Sequence, residues 1–194
     1  KNKYPKDMST PMQIRRAETA RDMLDIFAIR RAVFHLEQGI SLDREIDDID
    51  FAQGTIHLLG EDASGAIAAA RISPPKIGIP VDLAQMFPQL PRDTITGKLG
   101  RFAVLPAARG CGNGKELVRG AERLALSSWA SSEGEGTLLL QIAAQAPVIG
   151  FYQKLGYHLV TSRDPYLDAG IEHRDLVKLV EPQASVVQFP GRWL

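Results

Sequence analysis

The chain has 194 residues and carries 23 basic and 23 acidic side chains. This length predicts one domain with a substantial core, and the balanced charge gives no overall field that would draw nucleic acid or an anionic membrane. A single cysteine excludes an intramolecular disulfide and a metal site built from several cysteines. No stretch is long and apolar enough to cross a bilayer, and the polar start has no signal-peptide core. We therefore expect a cytoplasmic protein that holds no metal.

The composition shifts along the chain predict three parts. Residues 1–11 are polar and are expected to form a flexible arm, residues 12–180 form one domain, and residues 181–194 form a tail. The tail could pack on the body or serve as a contact in a homodimer.

A strand over 12–16 is followed by the first helix of the domain. Thr19 and Asp22 have the spacing of a capping box and predict where the helix begins. Its apolar face also contains Arg30. A charge on that face must be paired or reach solvent, so Arg30 is a candidate functional residue.

Residues 35–53 hold a concentration of carboxylates. A run of charge is usually a solvated loop, but Ile46 and Ile49 interleave the acids and would anchor the segment. Arginines in neighbouring elements could pair with the acids. Such a cluster would attract a cationic ligand and could help remove its proton. The carboxylates are Glu37, Asp43, Glu45, Asp47, Asp48 and Asp50, and the arginines are Arg30, Arg31, Arg71 and Arg101.

Two short strands, 54–60 and 66–72, flank a polar turn and predict a β-hairpin. His57 lies in the middle of the first strand. A lone strand histidine is more often structural than catalytic, although an unperturbed imidazole pKa of about 6.5 suits proton transfer. A short helix or loop over 81–91 is expected to cover the core with its apolar side chains.

An apolar run over 102–105 ends at Pro106 and leads through a glycine-rich turn into a helical pattern. Glycine lets a backbone turn back and approach a ligand closely, and the first N–H groups of the following helix favour an anion. The order strand, turn and helix therefore predicts a phosphate site. The spacing fits neither a P-loop nor a dinucleotide fingerprint. An ordinary glycine-rich turn before a helix is the alternative.

The pattern that fits is Arg-x-x-Gly-x-Gly, formed by Arg109, Gly112 and Gly114 after Val104-x-Pro106. Here the sequence resembles the GNAT superfamily of acyl-CoA-dependent N-acyltransferases, whose pyrophosphate loop has that form. The resemblance implies that this turn binds the pyrophosphate of coenzyme A.

Beyond the turn, the pattern predicts a helix, a turn, a central strand, a short helix and two further strands. The helix is expected to run to about residue 129 and the turn over 131–136. The central strand is expected over 137–142, the short helix over 148–155, and the two further strands over 157–160 and 172–180.

Residues 151–157, Phe-Tyr-Gln-Lys-Leu-Gly-Tyr, are similar to the FYxKxGF/Y segment of the same superfamily. Periodicity places Phe151 and Leu155 in the core and Tyr152 one step round the helix. The resemblance implies that Tyr152 protonates the departing CoA thiolate. It also implies an α+β (mixed α/β) fold, with a mostly antiparallel twisted sheet of six to seven strands flanked by helices.

The pair Ala144-Gln145, the FYxKxGY segment and the run Asp168-Ala169-Gly170-Ile171-Glu172-His173 resemble a bacterial GNAT subgroup with an alanine–glutamine pair and a terminal Gly-Ile-Pro-His. Glu172 stands where that subgroup has proline, which leaves the local backbone open.

The amino-terminal half resembles another GNAT-fold group, the acyl-homoserine-lactone synthases. Those enzymes carry a nearby tryptophan that this chain lacks, and a glutamate where Lys98 stands. They also generally lack the Arg-x-x-Gly-x-Gly loop. The matching residues are Arg30, Phe34, Glu45, Asp47, Asp50, Arg71, 86–88 and 101–104.

Acyl transfer to an amine requires amine deprotonation, oxyanion stabilisation and thiolate protonation. We expect the backbone of 102–104 to hold the pantetheine arm, and an N–H there, at Val104, to stabilise the oxyanion. The base is left open among Glu37, Asp47, Asp50, His57, His173 and a water chain. Cys111 is interpreted as a small loop residue and not a nucleophile.

The sequence therefore predicts an N-acetyltransferase that uses acetyl-CoA and a primary amine of a small molecule or peptide, polycationic in view of the acidic segment. A lactone-synthase-like enzyme and a non-catalytic acyl-CoA sensor are the alternatives. The predicted catalytic residues are Tyr152, Glu37 and His173. Predicted coenzyme contacts are Phe102, Ala103, Val104, Arg109, Gly110, Cys111, Gly112, Asn113, Gly114, Lys115, Gln145 and Tyr152. Predicted substrate contacts are Arg30, Glu45, Asp47, Asp50, His57 and Arg71.

Overall fold

The computed structural model describes residues 11–129 and 136–182 of the chain. Nearly all of the predicted arm, most of the predicted turn over 131–136 and most of the predicted tail lie outside the described residues. The division into arm, domain and tail stays a prediction.

A single twisted sheet of nine strands organises the described part of the chain. Its main path has seven strands in the order β1-β2-β3-β5-β6-β9-β7, with β4 beside β5 and β8 beside β9. The pairs are antiparallel except β5 with β6, which run parallel. This confirms the predicted α+β class. The strands are β1 Gln13–Arg16, β2 Ile56–Asp62, β3 Gly65–Ile72, β4 Lys76–Ile77, β5 Ile95–Val104, β6 Leu138–Gln145, β7 His158–Leu159, β8 Tyr166–Asp168 and β9 Ile171–Val180.

Five α-helices and several shorter turns connect these strands. A seven-residue π-helix, Arg31–Glu37, continues α1, and 3-10 turns lie at Asp48–Phe51, Pro106–Ala108 and Ala146–Val148. The α-helices are α1 Ala20–Arg30, α2 Leu42–Glu45, α3 Val81–Met86, α4 Asn113–Trp129 and α5 Ile149–Gln153.

The start of α1 matches the predicted capping box. The Thr19 side chain accepts a hydrogen bond from the Asp22 N–H at 3.1 Å, and the Asp22 carboxylate accepts from the Thr19 N–H at 3.0 Å. Two of the free N–H groups at the helix start are thereby satisfied. This confirms the prediction from the spacing of these two residues.

The two long helices cover opposite faces of the sheet, because neighbouring residues of a strand point to opposite sides. Leu59 and Ala69 pack with Ile26 of α1. Their sequence neighbours Leu58 and Ala70 pack instead in the cluster that contains the apolar face of α4. The sheet is therefore buried on both sides.

The parallel strands β5 and β6 are paired at one end and separate at the other, an arrangement that we call the wedge. They are in register from Ile95 with Leu138 to Leu99 with Ile142, and no further pairing between them is formed beyond that point in the described residues. At the closed end a Cβ on Gly97 would overlap the indole of Trp129, the last residue of α4. The indole thus packs directly on the backbone of β5 within its stretch of pairing with β6.

The structure differs from the sequence-based expectation at several places, three of them in the carboxyl-terminal part. The predicted strand 157–160 is shorter, at His158–Leu159, and the predicted helix 148–155 is split into a 3-10 turn and α5. The hairpin of β8 and β9 was not predicted. Its two-residue turn, Ala169-Gly170, has φ of 50° and 77°, the positive values that such tight turns require.

Candidate active site

A cavity of about 530 Å³ lies where β5 and β6 separate. Its walls come from the end of the π-helix, from α2, from the open ends of β5 and β6, from the start of α4 and from α5. The β8–β9 turn completes it. Because β5 is paired with β6 only up to Leu99, its backbone at 100–104 faces an open gap on that edge instead of a neighbouring strand. An extended ligand can therefore be held there by backbone hydrogen bonds.

The glycine loop, residues 109–115, forms one end of the cavity. Gly110 and Gly112 have φ of 83° and 96°, and a Cβ on either would point into open space. The reason for glycine at both positions is therefore the left-handed backbone and not crowding. The loop delivers the chain into α4, whose first N–H groups have no partners within the helix. Gly110, Gly112, Gly114 and Lys115 all line the cavity.

A β-bulge turns β5 toward the cavity. Ala69 pairs with Ala103 while Arg71 pairs with Gly100, so β5 has one residue more than β3 over this stretch. Arg101 lies in the bulge with φ of 53°, an uncommon value for a residue other than glycine. Phe102 and Val104 beyond the bulge line the cavity.

Side-chain contacts hold Arg101 in this strained conformation. Its Nε lies 3.1 Å from a carboxylate oxygen of Glu45, and its terminal nitrogen donates to Asp47 at 3.0 Å. It also donates to the backbone carbonyls of Arg44 and Glu45 at 3.1 and 3.2 Å. The bulge is thus tied to α2 on the opposite wall of the cavity.

Tyr152 lies in α5 and lines the cavity, with 7% of its surface exposed. Its ring lies between those of Phe151, Phe102 and Tyr157, with centroids 5.0, 6.1 and 6.0 Å away. Burial raises the pKa of the Tyr152 phenol above its ordinary value. The hydroxyl therefore carries its proton at neutral pH, as a general acid must.

His173 and Gln145 lie at the ends of two adjacent strands and line the cavity. His173 Nδ1 is 2.8 Å from the carbonyl oxygen of Ile171. A carbonyl can only accept, so Nδ1 is the donor and Nε2 of the neutral ring keeps its lone pair. The Tyr166 ring stacks on His173 at 5.9 Å. The Gln145 amide donates to Gln38 at 2.9 Å.

Glu37 pairs with Arg109 instead of lining the cavity. The two side chains form a two-bond fork, with both distances 2.7 Å, and Arg109 Nε donates to the carbonyl of Val104 at 2.8 Å. The hydrogen bond from Arg109 lowers the pKa of the Glu37 carboxyl. A carboxylate with a lowered pKa is a weaker base, and this geometry does not present Glu37 to a substrate in the cavity.

Six charged side chains, two of them on the cavity wall and four behind it, form what we call the ion-pair network. Arg30 is fully buried and pairs with Glu45 and, through two bonds of 2.6 and 3.1 Å, with Asp50. Arg71 donates to Asp47 at 2.6 Å and lies 2.8 Å from Asp50. The members are Arg30, Glu45, Asp47, Asp50, Arg71 and Arg101.

The ion-pair network contains three arginines and three carboxylates, so its formal charge is zero. Although burial raises the pKa of the Asp50 carboxyl, hydrogen bonds from Arg30 and from the Asp47 N–H outweigh it and hold the pKa below its usual range. His57 does not line the cavity; its Nε2 lies 2.9 Å from the carbonyl oxygen of Asp50, and burial lowers its pKa. The histidine stays neutral inside the fold.

The cavity wall includes only part of the predicted site. Of the predicted substrate contacts, Glu45 alone lines it, and Arg30, Asp47, Asp50, His57 and Arg71 lie behind it. Of the predicted coenzyme contacts, Ala103, Cys111 and Asn113 are not on the wall. Ala103 faces the α1 side of the sheet, and Cys111 is exposed in the glycine loop. The remaining predicted coenzyme contacts line the cavity, namely Phe102, Val104, Arg109, Gly110, Gly112, Gly114, Lys115, Gln145 and Tyr152.

Three polar residues of the wall were not predicted as site residues: Gln38, Arg44 and Asp168. Gln38 and Arg44 belong to the acidic segment, where no sequence feature distinguishes them from the other polar side chains. Asp168 begins the run that resembles the bacterial GNAT subgroup, and Gly170 two residues later is a signal for a turn.

No helix in residues 11–129 and 136–182 is long and apolar enough to cross a membrane. The same residues contain no group of His, Cys, Asp and Glu side chains arranged to hold a metal ion.

The model of the GNAT acetyltransferase domain matches residues 57–159, more than half of the chain. The chain belongs to the GNAT acetyltransferase family. The matched segment runs from β2 to β7 and contains the bulge, the glycine loop and Tyr152.

Known members of the GNAT family are similar over most of this chain. The N-acetyltransferase YjcF of Bacillus subtilis is 28% identical over 84% of this chain and 96% of its own length. A GNAT acetyltransferase of Brucella melitensis, solved with acetyl-CoA, has a TM-score of 0.56 at 19% identity, over 88% of this chain and 89% of that one. The CoA-dependent acyl-homoserine lactone synthase BjaI has a TM-score of 0.60 at 16% identity, over 84% of this chain and 79% of its own. The two structures support the fold.

Proposed function

We propose that GNAT chemistry in this protein is acetyl transfer from acetyl-CoA to a primary amine of a small molecule or peptide, directly and without an acyl-enzyme. The observation that carries the proposal is the meeting of three features in one cavity. These are the glycine loop, the unpaired edge of β5 and the side chain of Tyr152. The acetyl-CoA complex of the Brucella relative supports the choice of donor.

The glycine loop and α4 would hold the donor by its pyrophosphate. The free N–H groups at the start of α4 and the Lys115 ammonium supply positive charge at the end of the cavity. The pantetheine arm would then extend along residues 102–104 of β5 as an added strand, with the thioester toward Tyr152. An N–H of this stretch, at Val104, would stabilise the oxyanion, an effect that can reach about 3 kcal/mol.

We assign the base to His173 and the acid to Tyr152. His173 Nε2 would take a proton from the acceptor ammonium, and the freed nitrogen would attack the thioester carbonyl to form the C–N bond. Collapse of the tetrahedral intermediate breaks the C–S bond, and Tyr152 gives its proton to the departing thiolate. The nitrogen would lose its second proton in this step, which returns to Tyr152 through solvent, and the histidinium would release the first proton to solvent. The fixed tautomer of His173 supports this choice over Glu37, whose carboxylate is engaged by Arg109.

The test measures CoA thiol release with acetyl-CoA and a panel of amines. Wild type is expected to release thiol only when an acceptor is present. Tyr152→Phe should lower kcat by about 10²–10⁴-fold with little change in the Kd of acetyl-CoA, because the ring stays and only the proton donor is lost.

Tyr157→Phe is the matched control, since Tyr157 is also a buried tyrosine but does not line the cavity. Its kcat should stay within about threefold of wild type, because it removes no group from the reaction. Unchanged turnover in Tyr152→Phe would refute the role of the acid. Tight acetyl-CoA binding with no thiol release for any amine would favour the sensor alternative.

A further inference from the structure

On the side of the cavity away from the glycine loop, two charged side chains line the wall and remain largely exposed to solvent. The side chain of Arg44, in α2, is 60% exposed, and that of Asp168, at the β8–β9 turn, is 62% exposed. The other charged groups of the acceptor side are already engaged: Glu45 and Arg101 belong to the ion-pair network, and Arg109 is bound by Glu37. Arg44 and Asp168 are therefore the charges that an acceptor meets when it enters.

Arg44 and Asp168 approach each other without forming a hydrogen bond. Their nearest nitrogen and oxygen atoms are 3.8 Å apart, whereas a charge-assisted hydrogen bond between such groups has a length of about 2.7–2.9 Å. Exposed ion pairs contribute little to stability. An incoming ligand can therefore separate this pair at small cost.

The backbones that carry the two charges are fixed. Arg101 donates to the carbonyls of Arg44 and Glu45, which holds α2 in place. Asp168 pairs with Ile171 across the two-residue turn. The charges are thus presented from rigid elements on two sides of the opening, while the side chains themselves are free to move.

We propose that the acceptor carries a carboxylate beside its amine, as an amino acid does, and that Arg44 binds this carboxylate. The planar guanidinium accommodates a carboxylate through two parallel hydrogen bonds. The carboxylate of the acceptor replaces Asp168, which neutralises Arg44 in the empty site. The amine then extends inward toward His173. This inference rests on the proposed acetyl transfer and names its class of acceptor.

The charges of the acidic segment argue against the polycationic acceptor expected from the sequence. Glu45, Asp47 and Asp50 are each paired with arginine and contribute no net field, and Glu37 is neutralised by Arg109. The cation at the entrance, Arg44, favours an anionic group on the acceptor.

The experiment compares each common L-amino acid with its carboxamide as acceptors for acetyl-CoA. The carboxamide keeps the side chain and the amine but lacks the negative charge. For the best amino acid, wild type should have a kcat/KM at least ~10-fold above that of the carboxamide after correction for the fraction of free amine, as expected for a charged hydrogen-bond pair.

Arg44→Gln should remove most of this preference by raising KM for the amino acid about 10-fold or more, with a much smaller effect on the carboxamide. Asp168→Asn should act in the opposite direction and lower KM for the amino acid, because it removes the competing carboxylate. If the two residues formed a merely structural pair, both variants would change KM in the same direction. Arg21→Gln, at an exposed arginine of α1 remote from the cavity wall, is the control for loss of one positive charge.

The failures of the two proposals are distinguishable. Preference for carboxamides or simple alkylamines in wild type, or Arg44→Gln with an unchanged amino acid KM, would overturn the carboxylate-bearing acceptor and leave acetyl transfer standing. Absence of thiol release with every amine would overturn the proposed function itself, and this inference with it.

Discussion

The glycine loop and the ion-pair network lie on two sides of the same cavity, and they differ in whether their charges are neutralised within the protein. The glycine loop presents backbone N–H groups and Lys115 with no acid of its own on the cavity wall. The ion-pair network has six charged side chains, and three arginines compensate three carboxylates. The glycine loop can therefore bind the negative charge of a ligand, whereas the charges of the ion-pair network are already neutralised by one another.

This difference shows why charge density alone is a poor guide to a binding site. The acidic segment is the most strongly charged part of the sequence, yet Glu45 and Asp50 have almost no exposed surface. Buried charges need partners, and partners neutralise them. A less conspicuous group that is exposed and whose charged neighbour lies beyond hydrogen-bond distance, such as Arg44 beside Asp168, is a better candidate for contact with a ligand.

Breaking the ion-pair network should produce the largest effect on folding. Arg30→Met leaves Glu45 and Asp50 buried with fewer partners, which should lower the free energy of unfolding by about 3–5 kcal/mol. Urea denaturation measures this. Arg21→Met, which removes an exposed i,i+4 pair with Asp25, should cost no more than about 0.5 kcal/mol. A loss within about 1 kcal/mol for Arg30→Met would mean that the network is dispensable for the fold.

Breaking the glycine loop should instead affect binding. Gly112→Val places a β-branched residue at φ of 96° and pushes the loop backbone away from the coenzyme. CoA should bind on the order of 100-fold more weakly, as for two lost hydrogen bonds to a charged group. Calorimetric titration checks this.

Gly114→Ala is the matched change within the same loop. A Cβ there meets Phe151 at 3.6 Å, an ordinary contact, so the affinity for CoA should change by only about threefold or less. Normal CoA affinity in Gly112→Val would refute the assignment of the loop.

Arg101 belongs to the ion-pair network and to the cavity wall. Its substitutions therefore test whether the ion-pair network holds the backbone of the cavity wall in its left-handed conformation. Arg101→Gly should be more stable than Arg101→Ala by about 1 kcal/mol, because only the alanine keeps a Cβ in the left-handed conformation. Thermal or urea unfolding of the two variants gives the difference. The usual order, with alanine more stable, would show that the bulge relaxes when its side-chain contacts are lost.

The smallest effect is expected for Glu37→Gln. Its pair with Arg109 is partly exposed, so turnover and CoA affinity should each change by no more than about fivefold. Steady-state kinetics with the best acceptor measures the change in turnover, and calorimetric titration measures the change in CoA affinity. If turnover instead fell by about 100-fold or more, the size of effect expected for loss of a general base, and recovered as the pH was raised, Glu37 would replace His173 in that role.

Features that depend on a few consecutive residues were predictable from the sequence. The capping box at Thr19, the hairpin of β2 and β3 and the glycine loop each follow from local backbone preferences. The alternation of strands and helices and the two motif resemblances were enough to predict the fold.

Features that depend on contacts between distant segments were not predictable. The ion-pair network joins α1, α2, β3 and β5, and no sequence spacing states which carboxylate each arginine meets. The positive φ of the bulge falls on Arg101 and not on the neighbouring Gly100, because side-chain contacts hold the strained backbone of Arg101. The entrance formed by Arg44 and Asp168 exists only because α2 and the β8–β9 turn come together in the folded chain.

The indole of Trp129 packs on Gly97 in the stretch where β5 and β6 are paired, before the gap that opens beyond Leu99. Trp129 itself does not line the cavity. A smaller ring at residue 129 would therefore change the packing at the paired ends of the two strands without altering any side chain of the cavity wall. This position offers a way to perturb the setting of β5 and β6 from outside the site.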